Sequence, residues 1–240
     1  MQGYTRHQLK QDRFAEKTKE AVEWTAGHQR PVVWAIGLVV VAALATWGFL
    51  WWQGRQNEAA NAALGSAMRT LTAQVLPPGS PTPPDNKDTF ASAADRAKAA
   101  QMQFQAAADQ YDKFPYPKAV KIARYMEGVS AMQSGDNASA EAKLKAVAAS
   151  GDASVASLAK MSLASLYRAT NRPGEAVKLY KDLQDHPTEM VSKAQAQLEL
   201  AAMYESMDPQ QATAIYQQIQ KDDPKSIAAQ IANSRMSGPR

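Results

Sequence analysis

The longest apolar run of the chain lies between Pro31 and Trp52, PVVWAIGLVVVAALATWGFLWW, where no side chain is charged and Thr46 is the only polar one. At 1.5 Å rise per residue a helix over this run reaches about 33 Å, the depth of the hydrocarbon core of a bilayer. A core helix of a soluble protein keeps polar residues where it meets its neighbours, whereas lipid demands apolar side chains all round. The pattern therefore predicts one transmembrane helix over 31–52. A cleaved signal peptide would place a shorter apolar stretch, about 7 to 15 residues, close to the N-terminus. Here residues 1–30 come first and are largely polar, so the helix is expected to remain in the protein. Trp34 near one end, Trp47, Trp51 and Trp52 near the other, and Arg30 and Arg55 just outside suit the two membrane interfaces.

On the N-terminal side, residues 1–30 read as a cytoplasmic juxtamembrane segment, a short polar helix whose few apolar positions include Leu9, Phe14, Val22 and Trp24. Beyond the span, residues 53–76 are rich in alanine and free of proline, which predicts that the helix continues out of the membrane into the domain that follows. Residues 77–88 form a loop, because Pro77, Pro78, Pro81, Pro83 and Pro84 exclude both helix and sheet. A helix is expected to restart near Thr89 with Asp88 as its N-cap. Residues 89–236 then form a helical repeat domain, and 237–240 a tail.

The repeat emerges when the chain is compared with itself at an offset of 36 residues. Ala140, Ala176 and Ala212 superpose, as do Leu144, Tyr180 and Tyr216, and then Tyr111, Val147, Leu183 and Ile219. These positions follow one another by four and three, the spacing of a helical stripe that a single helix cannot bury alone. They define the second helix of each pair. The first helices carry small residues followed by a second column, in Gly128 and Ala131, Ala164 and Tyr167, and Ala201 and Tyr204, so that paired helices approach closely. Turns fall at Ser134–Asn137, Thr170–Gly174 and Met207–Gln210. Pro115 and Pro117, Pro187 and Pro224, with Gly151 at the remaining junction, close the second helices.

Alternating helices with short turns and no alternating strand pattern predict an all-α protein, a transmembrane helix followed by a helical solenoid of about three and a half repeats. The unit resembles the tetratricopeptide repeat, a helix pair of about 34 residues, in its large residue, its small one at Gly128, Ala164 or Ala201, its aromatic, its alanine and its final proline. The tryptophan of the ideal repeat is missing, and Leu144 takes one of the large positions.

Charge adds an orientation. Arg6, Lys10, Arg13, Lys17, Lys19 and Arg30 precede the span, while the corresponding stretch after it holds only Arg55 and Arg69. Excess basic charge marks the cytoplasmic side, so the repeat domain is expected outside the cytoplasm, in the periplasm of a Gram-negative bacterium. The absence of cysteine excludes disulfides, thiolate zinc sites, a cysteine nucleophile and a lipoprotein anchor. A net charge of +4 over 240 residues, without a basic run, gives no support to nucleic-acid binding. His7, His28 and His186 cannot share a site, since two precede the span and one follows it. The carboxylates sit at helix ends beside lysines, and the glycines are scattered singly. No catalytic, cofactor-binding or metal-ligating set is therefore expected, nor a small-molecule substrate, and the chain reads as a non-enzyme.

Layout over nearly the whole chain also resembles the YfgM-like family of ancillary SecYEG translocon subunits, single-pass tetratricopeptide proteins of the bacterial inner membrane. The shared features are a charged N-terminal segment, one span, an alanine-rich helix and degenerate repeats. The resemblance implies the inner membrane as location and the Sec translocon or periplasmic chaperones as partners. In tetratricopeptide arrays first helices line the concave face. The inward positions are then Tyr125, Val129, Met132, Met161, Arg168 and Glu205, a candidate surface for protein or peptide segments. A structural accessory subunit of a larger inner-membrane complex, held through its span, is the alternative, although the span carries no Gly-x-x-x-Gly motif, only Ala42 and Thr46 four apart.

Overall fold

The computed structural model describes residues 29–76, 79, 89–112 and 117–237. The expectations for residues 1–28, for most of the proline-rich loop, for Pro115 and for residues 238–240 lie outside the described residues. Among those described, nine helices and two short strands follow in the order α1 (Gln29–Leu71), β1 (Gln74–Val75), β2 (Thr89–Phe90), α2 (Ala93–Tyr111), α3 (Lys118–Gln133), α4 (Asn137–Ala148), α5 (Ala153–Ala169), α6 (Pro173–Asp185), α7 (Lys193–Met207), α8 (Pro209–Asp222) and α9 (Ile227–Ser237). The chain divides into two units, Met1–Arg55 and Gln56–Arg240.

In the first unit, α1 bears the apolar run. Its most apolar window has a mean hydropathy of 2.2, and none of it is buried. Val33, Trp34, Leu38, Val41, Trp47 and Leu50 are all exposed, so no described residue covers the run. By length and composition this helix can cross a membrane. Its one polar side chain needs no partner from elsewhere, because Thr46 Oγ1 donates to the Ala42 carbonyl at 2.8 Å. Near the end of the run the Arg55 guanidinium lies 4.4 Å from the Trp51 ring centre, a cation–π contact.

The second unit begins with the remainder of α1. Ala60, Ala67 and Thr70 are buried, and Leu64 and Leu71 pack with Ala67 around Ala100, Phe104 and Ala108 of α2. Thr70 Oγ1 donates to Gln103 Oε1 at 2.8 Å. The alanine-rich segment after the apolar run thus serves as the first helix of a pair.

Two expectations are corrected at this point. The helix ends at Leu71 rather than continuing through residue 76, and Gln74–Val75 pairs in parallel with Thr89–Phe90. The Thr72 hydroxyl bonds back to the Met68 and Arg69 carbonyls, and Arg96 donates to the Ala73 carbonyl at 3.0 Å, so the chain is turned out of the helix by side-chain competition. A two-residue strand is too short to leave a periodic trace in sequence. Likewise α2 starts at Ala93, not near Thr89, and its N-cap is Ser92. Its Oγ accepts from the Asp95 amide at 3.0 Å and donates to the Asp95 carboxylate at 2.7 Å.

The hairpins α3/α4, α5/α6 and α7/α8 then pack in sequence order, each on the next, and α9 covers α8. Asp136, Asp152, Ser192 and Asp208 cap α4, α5, α7 and α8 by accepting the amide three residues on. The turns fall as the repeat demands, and the last is the tightest, with Asp208 alone between α7 and α8. Gly135 at φ 86° and Asn171 at φ 57° make the other two turns, in the left-handed region where these residue types are favoured.

The repeat columns are the core. Ala140, Ala176, Leu144 and Tyr180 are fully buried, and Ala212, Tyr216, Leu183 and Ile219 nearly so. Opposite them lie Ala131, Ala164 and Ala201, also fully buried. At Gly128 the approach is closest, since a Cβ there would lie 2.9 Å from Leu144 Cγ and Cδ2 and 3.3 Å from the Leu144 amide nitrogen.

Candidate interaction surface

The first helices α3, α5 and α7 carry the six positions assigned to the inward face. Tyr125, Val129 and Met132 on α3 and Met161 on α5 are half-buried and pack against the main core cluster. Tyr125 Oη shares a hydrogen bond of 3.0 Å with Ser162 Oγ on α5. Arg168 is exposed and pairs with Glu199 on α7 at 3.3 Å. Glu205, also exposed, accepts from Tyr216 Oη at 2.7 Å and faces Arg235 at 3.6 Å. No side-chain hydrogen bond or ion pair joins any two of the six. Each polar member ties its helix to a later one instead, and each apolar member divides its surface between the core and solvent.

A second set of contacts links α4 to the turn before α6. Arg172 donates to both oxygens of Glu141, at 2.6 and 3.1 Å, and to Glu175, while its guanidinium stacks 4.2 Å from the Tyr167 ring centre. Lys145 adds a bond of 2.6 Å to Glu141. The Arg172 hydrogen bonds first, and that of Lys145 second, hold the Glu141 carboxyl down at about 2, against an ordinary 4.5. Because the folded state depresses this group, its contribution is present above pH 4.5 and is lost as the pH falls towards 2. The unfolding midpoint of the full chain in mild detergent should therefore lie higher than that of a Glu141→Gln variant at pH 7. The difference should narrow steadily between pH 4.5 and pH 3.

A third feature was not anticipated from the sequence. A cleft of about 440 Å³ opens between α3 and α4, lined by Val120, Lys121, Arg124 and Glu127 of α3, by Lys143, Ala146 and Val147 of α4, and by Asp112 and Val155 at its ends. Its walls are mainly apolar, yet Glu127 within it is fully buried. Lys143 Nζ touches Glu127 Oε1 at 2.7 Å, but outside the directions in which a hydrogen bond forms, so neither carboxylate oxygen accepts one among the described residues. The nearby Arg124 lies 4.0 Å away and is engaged by Asp109 at 2.9 Å and Asp112 at 2.8 Å. Lys121 pairs with Asp152 at 3.0 Å.

The repeat frame carried the signal for this pair. The position before the small residue is Glu127, then Leu163, then Leu200, and the matching position of the second helix is Lys143, then Leu179, then Ile215. Leu163 and Leu200 are buried in the main core, and Leu179 and Ile215 pack against it. An ion pair thus stands where two other repeats place apolar partners.

Among the described residues no group of three or more histidine and acidic side chains is placed to hold a metal ion. His186 is exposed, with Nδ1 3.1 Å from the Asp182 carbonyl, and His7 and His28 lie outside the described residues.

Stacked helical hairpins with a 36-residue repeat define a helical-repeat protein of the class that presents surfaces to other proteins. The sequence model of the tetratricopeptide repeat-like domain family matches residues 23–187, well over half of the chain, and the chain belongs to that family. No curated protein and no solved structure matches it.

Proposed function

We propose that this protein is a membrane-tethered extracytoplasmic scaffold, which binds protein or peptide segments through its repeat surface. Residues 31–52 span the membrane, 1–30 lie in the cytoplasm, and 53–76 lead into the repeat domain at 89–236, with 77–88 as a loop. The observation that carries this reading is the array of stacked tetratricopeptide-like hairpins, with partly exposed apolar side chains along its first helices. Such arrays offer anchors at peptide-length spacing and a groove without catalytic groups. The tether rests on α1, whose apolar side chains are exposed all round and call for a cover of lipid. Basic residues concentrated before the span support a bacterial inner-membrane location with the repeats in the periplasm. The layout shared with the YfgM-like family supports a place near the Sec translocon or periplasmic chaperones, in secretion or envelope protein biogenesis.

Photo-crosslinkers placed one at a time at Val129, Met161 and Arg168 in native membranes test it. Each should capture the same small set of envelope or translocon proteins. Capture no greater than that of a control carrying only the N-terminal segment and span would contradict the scaffold reading.

A further inference from the structure

The apolar run of α1 ends at a cation that has no counter-ion in its own unit. Arg55 is exposed, and residues 29–55 contain no carboxylate. Side chains on a helix lean toward its N-terminus. An arginine that follows a span is therefore turned back along it, whereas Arg30, which precedes the run, leans away. Arg55 follows this rule, since its guanidinium lies over the Trp51 ring, one turn earlier, 4.4 Å from the ring centre. Trp51 and Trp52 are both exposed, and the Trp52 ring sits 6.2 Å from that of Phe49. The last turns of the run thus present an exposed aromatic surface with one guanidinium laid on it.

We propose that Arg55 and Trp51 bind the phosphate of a bilayer phospholipid, at the interface on the C-terminal side of the span. Depth and charge carry the assignment together. Indole rings at the end of an apolar run settle at headgroup level, and the contact with Trp51 holds the guanidinium at that same level. The phosphodiester is the anion that every phospholipid places there. A cation–π contact engages the face of the ring and none of the five N–H donors of the guanidinium. Its edge is then free to meet two phosphate oxygens with parallel N–H groups, a geometry that an ammonium, acting as a point charge, does not offer. The exposed rings of Phe49, Trp51 and Trp52 remain as an apolar surface for the lipid below its phosphate. The proposal rests on the reading of α1 as a membrane span, and adds to it a headgroup contact on one side.

The full chain, with isotope-labelled guanidinium nitrogens, can be placed in nanodiscs of dioleoylphosphatidylcholine, where solid-state NMR reads the dephasing of each arginine signal by lipid phosphorus. The Arg55 signal is identified by its loss in Arg55→Lys, and it should be dephased. Trp51→Leu, which keeps the helix apolar, should cut that dephasing at least two-fold, while Trp34→Leu at the other end of the run should leave it unchanged. In maltoside micelles containing inorganic phosphate the Arg55 signal should show none. Absence of dephasing in the nanodiscs, an equal effect from inorganic phosphate, dephasing that survives Trp51→Leu, or a loss as large in Trp34→Leu would overturn the proposal. A chain that does not enter the nanodiscs would overturn the span reading and this proposal with it. A chain that enters them without phosphorus contact at Arg55 overturns this proposal alone.

Discussion

Replacing Lys143 alone with leucine should destabilise the full chain by about 3–5 kcal/mol, whereas replacing Glu127 and Lys143 together with leucine should be neutral or stabilising by about 1–4 kcal/mol. The single change strands a fully buried carboxylate, since the nearest remaining cation, Arg124, lies 4.0 Å away and is held by two aspartates. The double change restores the apolar pairing that Leu163 with Leu179 and Leu200 with Ile215 make available in the other repeats. Glu127→Leu alone should cost much less than Lys143→Leu, because the lysine is 37% exposed and its ammonium can turn to water. Denaturant titrations of the four proteins in mild detergent measure the cycle. A double variant no more stable than Lys143→Leu would show that the pair organises the hairpin rather than burdening it.

Gly128→Val should lower stability by about 3 kcal/mol, the upper part of the range for overpacking a filled site. The reason is the 2.9 Å approach of a Cβ to Leu144, whose side chain is fully buried and whose backbone nitrogen is only 3.3 Å away. Neither a rotamer change nor a small helix shift relieves both contacts. Gly128→Ala should show a smaller loss, because alanine recovers up to about 1 kcal/mol of helix propensity. Combining Gly128→Ala with Leu144→Val, which shortens the facing side chain, should recover part of that loss. Thermal unfolding followed by circular dichroism reads all three.

The repeat was legible in the sequence because its columns serve one purpose, burial, and recur at a fixed offset. Ala140, Tyr180 and Ile219 occupy the core for the reason that their spacing gives. The turns at Ser134–Asn137, Thr170–Gly174 and Met207–Gln210 follow equally directly from local chemistry, whereas the caps at Asp136, Asp152 and Asp208 emerge only in the structure. Features that depend on one contact rather than on a period were not legible. The end of α1 is set by Thr72 and Arg96 acting on particular carbonyls, and the β1–β2 pairing is two residues long. The Glu127–Lys143 pair was readable in principle as a break in two apolar columns, but charged residues on a helix are most often solvated, and only the packing shows this one buried. The six first-helix positions illustrate a different boundary. Their spacing marks them as a row, but how much of Tyr125 or Met132 belongs to the core is decided by neighbouring helices that the spacing does not describe.

The central claim is a repeat domain held outside the cytoplasm by one span, and the absence of cysteine from the chain makes a direct measurement clean. Single cysteines can be placed at His7, in the N-terminal segment, and at Gly151, exposed between α4 and α5, and treated with a membrane-impermeant maleimide on intact spheroplasts. The account predicts labelling at position 151 without permeabilisation, protection at position 7 until the membrane is opened, and retention of both proteins in the membrane after alkaline extraction. Labelling at position 7 with protection at 151, or release of the chain by alkali, would contradict it.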